Sequence, residues 1–396
     1  MKLTAHPRLA LFSLLAVATS GFGQTFYISV FGGEIRQALA LSHTDYGALY
    51  GGATIVSALL LLRFGVLADQ WPLKRALLPA IGALAVGCLL IAGATGAWLL
   101  ALGFLGIRFG GQGMIAHLGM TCAARYFRQD RGKAVALAAA GIPLAEAVMP
   151  AVAIMLIALG GWRLPWLVAA VALPLLILPL LRWLVDQPPP MEAGGEDGEY
   201  DQRQYSRRGA LADPGFYFLL PAALMTPFVA TALLFHQAAL ADLRGWSLEL
   251  LAAAFVVFAG GHLACLLGAG FLVDRLGGGR SLVLAMLPLA VGLLLLGGFT
   301  ATWVPFAYLG LLGTSIGLAT TAGGAVWAER YGVLHLGAIR SLVQAAIIFA
   351  TAVAPLLFGL ALDAAWPISH LALLLAMVTA LAALLAAMTP APRQQR

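Results

Sequence analysis

Runs of about 20 apolar residues, separated by short charged connections, constrain this chain more than any other feature. The 396 residues are 61% hydrophobic and only 10% charged, and the mean hydropathy is +0.93. No soluble core of this size needs so many apolar residues. The runs are continuous in Leu, Ala, Val and Gly and lack the alternation of barrel strands. We therefore predict an all-α membrane protein.

The apolar runs predict twelve transmembrane helices. Their approximate limits are 9–31, 46–66, 76–96, 98–122, 133–159, 165–184, 214–239, 249–272, 281–299, 303–328, 338–362 and 369–388. With the N-terminus in the cytoplasm, 19 of the 23 Lys and Arg residues lie on cytoplasmic connections and ends. Such an asymmetry sets orientation, so we expect both termini in the cytoplasm of a bacterial inner (plasma) membrane. The first run is interpreted as a retained helix.

One long polar segment, residues 186–213, interrupts the apolar pattern. It contains three consecutive prolines and many glycine and acidic residues, which is typical of a flexible linker. We interpret it as a cytoplasmic linker between an N-terminal bundle of six helices, residues 1–185, and a C-terminal bundle of six helices, residues 214–396.

The two halves share a repeated sequence at a constant offset of 205 residues. "GVLADQWPLKR" at 65–75 aligns without a gap to "GFLVDRLGGGR" at 270–280, so that Asp69 corresponds to Asp274 and Arg75 to Arg280. The same offset pairs Arg125 with Arg330. Parallel repeats of this kind predict two pseudo-symmetric bundles with a substrate site near the membrane midplane, as in secondary transporters.

The loop "GVLADQWPLKR" and its second copy resemble the signature loop of the major facilitator superfamily. The resemblance covers the whole chain and implies the major facilitator fold. At finer grain, "YFRQDRGKAVALAAAGIPLAE" and "ERYGVLHLGAIRSLVQAAIIFATAVAPLLFGLALD" resemble the monocarboxylate and oxalate–formate branch, which implies small organic anions as substrates. Where animal members of that branch carry a lysine in helix 1 and an Asp/Arg pair in helix 8, this chain has Gln24 and His262.

Arg108 and Glu146 are the two charged residues that we place deep in the membrane. Arg108 lies roughly 15 Å from the outer end of helix 4, and Glu146 lies roughly 20 Å from the inner end of helix 5. Facing lipid, a charge at this depth costs at least about 2.5–3.5 kcal/mol. "RFGGQG" at 108–113 also resembles the helix 4 arginine motif of the superfamily, which implies substrate contact or proton coupling. A static staple and a permanent ion pair remain the alternatives.

Other polar residues could line the substrate site or act as gates. The substrate-binding candidates beside Arg108 are Gln112, Gln24, Tyr27 and His262. The gating candidates at the cytoplasmic helix ends are Asp69, Lys74, Arg75, Arg125, Asp274, Arg280 and Arg330. Packing, or service as positive-inside anchors, is the alternative role for these side chains.

Together these features predict a secondary transporter and no enzyme. We expect alternating access, a small organic anion held at Arg108, proton coupling through Glu146, the bilayer as the working environment and a functional monomer. No catalytic residue, metal site, cofactor or nucleic-acid partner is expected. The three cysteines lack the spacing of a metal site, the positive charge is not gathered in one face or tail, and the glycine-rich "GGQGMIA" lies inside a membrane helix and so makes no dinucleotide site. An exporter of lipophilic drugs or cations, and a membrane sensor without transport, remain the alternatives.

Overall fold

The computed structural model describes residues 6–65, 71–127, 130–185, 205–332 and 335–390. The described residues are almost entirely helical and include no strand. They contain twelve apolar membrane-spanning segments when one bent pair of helices is counted as a single span. The predicted all-α membrane fold is therefore confirmed.

The spans begin and end close to the predicted limits, except that the first span, predicted at 9–31, continues to Leu39 and is bent. They are α1 (Pro7–Gly23 and Thr25–Leu39), α2 (His43–Phe64), α3 (Leu73–Ala92), α4 (Ala97–Tyr126), α5 (Gly132–Gly160), α6 (Arg163–Leu184), α7 (Pro214–Phe235), α8 (Leu248–Leu276), α9 (Gly278–Gly298), α10 (Val304–Tyr331), α11 (Leu336–Asp363) and α12 (Ile368–Ala387). A short helix, Gln237–Arg244, follows α7 after His236.

The structure repeats at the offset found in the sequence. Displaced by 205 residues, α3 coincides with α9 within one residue at each end, and α4 ends at the same position as α10. The packing repeats as well, because α3 contacts α4 and α6 whereas α9 contacts α10 and α12. Sequence and packing therefore support a duplicated unit of six helices.

The described chain forms two compact units. The first comprises Met1–Glu192, Leu233–Val256 and Ala352–Asp363, and the second comprises Ala193–Ala232, Val257–Thr351 and Ala364–Arg396. The first unit thus includes the ends of α7, α8 and α11 that lie opposite the linker. We call this end of the first unit the outer end, after the orientation that the charge distribution predicts.

The last part of the predicted linker is structured. Ser206 caps a short helix, Arg207–Ala212, by accepting a hydrogen bond from the Gly209 N–H. The backbone N–H of Tyr205 also donates to the Tyr331 carbonyl at the end of α10. Residues 186–204 of the predicted linker lie outside the described part of the chain.

Candidate functional site

The helix α1 breaks in the middle of its span. Residues Ser20–Gly23 form a single 3-10 turn, Gln24 is extended (φ −90°, ψ 153°), and the two parts of the helix meet at 44°. A Cβ atom on Gly23 would overlap with the Ile107 carbonyl oxygen of α4, so only glycine allows this approach. Irregular backbone at membrane depth occurs where it is buried in protein or lines a cavity, as in transporter substrate sites.

The helix α4 is irregular at the same place. Residues Arg108–Ile115 form a π-helical segment within α4, and such segments are frequent at functional sites. Gly110 lies so close to α3 that an added Cβ would come within 2.5 Å of the Leu84 nitrogen. The glycines of "RFGGQG" therefore let α4 pack tightly on α3 and on the break in α1.

Arg108 is buried at the meeting point of α1, α2 and α4. Its side chain is 2% exposed, and Nη1 donates a hydrogen bond of 3.0 Å to the Gly23 carbonyl. Its guanidinium carbon lies 4.8 Å from the ring centre of Tyr50, whose hydroxyl is 2.7 Å from Thr25 Oγ1. Nε of Arg108 has no hydrogen-bond partner among the described residues. The guanidinium is thus fixed on one side and keeps a free donor.

Gln24, Gln112 and Glu146 lie around the same break. Gln24 is the break residue itself, and the backbone nitrogen of Gln112 would lie 2.8 Å from a Cβ on Gly23. Glu146 is 4% exposed on α5, and its neighbours Ala145 and Met149 pack against Gly21. The structure therefore brings α1, α4 and α5 together at residues 21–24.

Tyr27 belongs to a packed aromatic cluster. Its ring makes edge contacts with Phe22, Phe31 and Trp166 at centroid distances of 5.2, 5.1 and 5.1 Å. The side chain is 3% exposed. These contacts assign Tyr27 to the packing of α1 on α6, so we do not include it among the residues around Arg108.

His262 lies in the second unit. It is 6% exposed on α8, where the backbone around it meets Gly313 and Gly317 of α10. Ser315 on the same part of α10 contacts Thr226 of α7 through hydroxyls 3.2 Å apart. His262 therefore sits at a close helix crossing lined by small and polar residues.

The gating candidates of the first unit surround the α2–α3 and α4–α5 connections. Asp69 lies outside the described residues. Lys74 and Arg75 occupy the first turn of α3, and the Arg75 guanidinium carbon lies 4.5 Å from the Trp71 ring centre. Arg125 is in the last turn of α4. These three basic residues therefore lie at helix ends.

The gating candidates of the second unit occupy different environments. Asp274 and Arg280 are exposed on either side of the α8–α9 turn. This turn is held to α10, because the Gly278 N–H donates to Glu329 Oε2 over 2.7 Å. Ala124 occupies the position equivalent to Glu329 in the first repeat, so the repeated loops differ in this contact.

Arg330 forms a buried ion pair with Asp213. Its Nε donates to Asp213 Oδ2 over 2.7 Å, and the Tyr331 hydroxyl donates to the same oxygen over 2.8 Å. Burial alone would raise the pKa of Asp213, but these hydrogen bonds outweigh it and hold the pKa below its usual range. Arg330 thus anchors the end of the linker to α10, a role that the sequence analysis did not predict.

A further cluster closes the outer end of the first unit. Asp363, the last residue of α11, accepts hydrogen bonds from the backbone N–H groups of His43 and Thr44, which begin α2. The His236 ring nitrogen Nε2 lies 2.8 Å from the Pro355 carbonyl of α11. Sequence reasoning missed this cluster, since its members are 119 to 320 residues apart.

The described residues define a polytopic helical membrane protein with a duplicated unit of six helices and one broken span, α1. Residues 13–268 match the Major Facilitator Superfamily. The chain therefore belongs to this superfamily of membrane transporters. A search of curated proteins found no match.

Solved structures share the fold at low sequence identity. A bacterial homologue of the human lysosomal transporter Spinster, inward-facing and occupied, is 16% identical, with a TM-score of 0.69 and coverage of 98% of both chains. Its unoccupied form has a TM-score of 0.68 at 16% identity, with coverage of 97% and 94%. The nucleoside transporter NupG is 14% identical, with a TM-score of 0.71 and coverage of 98% of this chain and 99% of its own.

Proposed function

We propose that this protein is a secondary transporter that carries a small organic anion by alternating access and binds the anion at Arg108. The observation that carries the proposal is the buried guanidinium, whose Nε has no hydrogen-bond partner in the part of the chain that the structure describes. A guanidinium has five N–H donors in a planar fork that matches a carboxylate. A buried charge with unused donors is costly, and an anionic ligand would relieve that cost.

The substrate class rests on Arg108 together with the resemblance to the monocarboxylate and oxalate–formate branch. Fold alone does not decide it, since proteins of one fold carry different solutes. The structural neighbours include a nucleoside transporter and a bacterial homologue of a lysosomal transporter, which illustrates this range. We therefore propose a monocarboxylate-like anion, with Gln24 and Gln112 as neutral hydrogen-bonding groups beside the guanidinium.

Proton coupling through Glu146 is part of the proposal. Glu146 is buried on α5, and α5 packs on the same α1 break that accepts the Arg108 hydrogen bond. An anion that engages the guanidinium would withdraw positive charge from Glu146, and a proton could then neutralise the carboxylate. Uptake of one proton with each anion would follow from this exchange.

The charged residues at the helix ends complete the proposed cycle. These residues would form weak, partly solvated contacts that break and re-form as access alternates. They are Asp69, Lys74, Arg75, Arg125, Asp274 and Arg280. Arg330 would contribute differently, by keeping the end of the linker on α10 through Asp213.

Thermal unfolding of the purified protein with defined probes tests anion binding. The probes are acetate, L-lactate, pyruvate and oxalate as anions, uridine and glucose as neutral solutes, and tetraphenylphosphonium as a lipophilic cation. A ligand that binds only the folded state at about 100 times its Kd stabilises it by about 2.7 kcal/mol. We expect one of the carboxylates to raise the melting temperature.

Variants assign the effect to residues. Arg108→Ala should abolish the carboxylate-induced shift, and Arg108→Lys should weaken it, because an ammonium lacks the planar fork. Arg163→Ala is the matched control, since Arg163 also donates to a backbone carbonyl, that of Ala94, over 3.0 Å and lies 4.2 Å from an aromatic ring centre, that of Trp162. Arg163→Ala should keep the full shift.

The alternatives give different results. Stabilisation by tetraphenylphosphonium that is lost in Glu146→Gln would contradict the anion proposal and favour an exporter of lipophilic cations. If a carboxylate binds, proteoliposomes should take it up while their lumen acidifies in step, and Glu146→Gln should remove only the proton flux. Binding without any uptake would favour the sensor.

A further inference from the structure

Tyr50 contacts both the proposed anion site and the closed outer end of the first unit. The guanidinium carbon of Arg108 lies 4.8 Å from its ring centre on one side. Its ring centre lies 4.4 Å from that of Phe235, the last residue of α7. Tyr50 is completely buried, and its hydroxyl is held by Thr25 at 2.7 Å. One ring therefore bridges Arg108 and α7.

Phe235 is adjacent in sequence to His236, which contacts α11 at the outer end of the first unit. His236 follows it in sequence, with Nε2 2.8 Å from the Pro355 carbonyl and its ring 5.6 Å from that of Phe358. Both partners lie on α11. A displacement of Phe235 would therefore also move His236, which is hydrogen-bonded to α11.

The helix that carries Tyr50 makes the rest of this closure. A Cβ atom on Gly47 would come within 2.5 Å of the Pro355 carbonyl oxygen, and one on Gly51 would overlap with the Ala352 carbonyl oxygen. Gly51 follows Tyr50 in sequence. A shift of the Tyr50 ring would therefore move the backbone contact between Gly51 and Ala352, where no free space remains. Tightly packed contacts of this kind switch between discrete arrangements.

We propose that Tyr50 is the positioning residue that couples occupancy of Arg108 to the closure of α2 and α7 on α11. The cation holds the ring in the position that packs on Phe235. An anion that draws the guanidinium toward itself weakens this contact and loosens the outer end. The inference rests on the proposed function only in taking Arg108 as the binding residue.

The test uses a buried cysteine as a reporter of the outer contact and needs no ligand. Ala352 is 2% exposed, so Ala352→Cys should react slowly with a small maleimide while the contact is closed. The reporter is placed in a background with Cys88→Ala, Cys122→Ala and Cys265→Ala, which removes every native cysteine. Labelling rates are measured on the purified full-length protein.

A double-mutant cycle between Arg108→Gln and Tyr50→Leu gives the decisive comparison. Each single change should speed labelling by about three- to thirtyfold, the range that a desolvated cation–aromatic contact allows. The double variant should label no faster than Tyr50→Leu alone, because the two residues act through one contact. The proposal would be overturned if the double variant labelled at a rate increased by the product of the two single effects. It would also be overturned if Arg108→Gln alone left the labelling rate unchanged.

Tyr46 supplies the matched control. Tyr46 is a second tyrosine of α2 in the same cluster, and its ring stacks on Phe235 at 4.6 Å and makes an edge contact with Phe104 at 5.6 Å. Tyr46→Leu should also speed labelling, yet Arg108→Gln should add its full effect in that background. If Arg108→Gln had as little effect on labelling in the Tyr46→Leu background as in the Tyr50→Leu background, Tyr50 would have only a general packing role. That result would overturn the coupling role.

Two further variants keep the test decisive if Tyr50→Leu does not fold. Phe235→Leu breaks the same link from its other end and should show the same non-additivity with Arg108→Gln. Tyr50→Phe keeps both ring contacts and should label like the parent protein. Failure of every organic anion in the thermal screen would refute anion binding but leave this ligand-free cycle intact, so the two failures are distinguishable.

Discussion

Arg108 carries a charge at a depth where an unpaired charge is expensive. The structure reduces that cost with one backbone carbonyl and one aromatic face, and leaves Nε without a partner among the described residues. We propose that partial satisfaction of this kind favours a binding residue over a staple, because a staple would use its donors on the protein. At this scale, the free donor of one side chain decides the proposed chemistry.

Gly23 should tolerate no side chain. A Cβ atom there would overlap with the Ile107 carbonyl oxygen, so Gly23→Ala should destabilise the protein by about 1–3 kcal/mol through overpacking. Gly82→Ala is the control, since no atom lies within 4 Å of the added carbon and alanine favours the helix. Thermal unfolding should show a lower melting temperature for Gly23→Ala only. Equal melting temperatures for both variants would contradict the close approach.

His236 should make stability depend on pH. The pKa of His236 is lowered to about 4, mainly by burial and also by His43 and Arg36. The Pro355 carbonyl and Asp363 oppose this shift. The unfolded chain has an ordinary histidine pKa of about 6.5, so between pH 6.5 and 4 only the unfolded state gains the proton. Stability from this group should be complete above pH 6.5 and fall by about 3 kcal/mol toward pH 4.

Melting temperatures measured from pH 7.5 to pH 4 check this dependence. His236→Gln should flatten the fall, because glutamine can still donate to the Pro355 carbonyl but does not titrate. His370→Gln, at an exposed position at the start of α12, should leave the curve unchanged. A fall of the same size in His236→Gln would show that other groups cause it.

At the scale of elements, two irregular segments meet. The 3-10 turn and extended residue of α1 lie against the π-helical segment Arg108–Ile115 of α4. The hydropathy pattern predicted α1 as an unbroken helix at 9–31, whereas the structure continues it to Leu39 and bends it at Gln24. Glycine is common in membrane helices, so "GFGQ" alone does not indicate a break. At the break, Gly23 lies so close to α4 that a Cβ atom there would overlap with the Ile107 carbonyl oxygen.

Asp363 should stabilise the start of α2 from the end of α11. Its carboxylate accepts from the N–H groups of His43 and Thr44, which have no partner within the helix. Asp363→Ala should therefore lower the free energy of unfolding by about 1 kcal/mol, as for the loss of a helix cap. It should also speed maleimide labelling of Ala352→Cys.

A cap within α2 separates these two effects. Ser42 accepts a hydrogen bond from the Asp45 N–H at the same helix end but makes no bridge to α11 in this capping box. Ser42→Ala should cost about as much stability as Asp363→Ala. It should leave the Ala352→Cys labelling rate unchanged, and faster labelling would contradict a specific role of Asp363.

At the scale of the whole molecule, the duplication organises the chain. Spans of the second half begin and end close to the positions that the offset of 205 residues predicts. The two copies nevertheless differ in detail, since Glu329 and Asp213 tie the second copy at its linker side and have Ala124 and Arg8 as counterparts. The duplication therefore sets the framework, and the contacts within each copy have diverged.

Both termini should lie in the cytoplasm. The excess of Lys and Arg on one set of connections predicts this orientation. Green fluorescent protein fused to either terminus should fluoresce, and alkaline phosphatase fused after Thr95 should be active, while a fusion after Asp130 should be inactive. Activity after Asp130 with none after Thr95 would reverse the predicted orientation.

The sequence by itself determined the class of fold, the duplication and, apart from α1, the span limits, and it predicted the depth of Arg108 and Glu146. These follow from local properties, because a lipid environment demands a continuous apolar run for each helix and a reason for each buried charge. Only the tertiary structure decided that Tyr50 and Gly23 contact Arg108, that Tyr27 packs among aromatic rings, and that Arg330 pairs with Asp213. Such contacts depend on the packing of residues 58 to 139 positions apart, where glycine and tyrosine carry no distinguishing pattern along the chain.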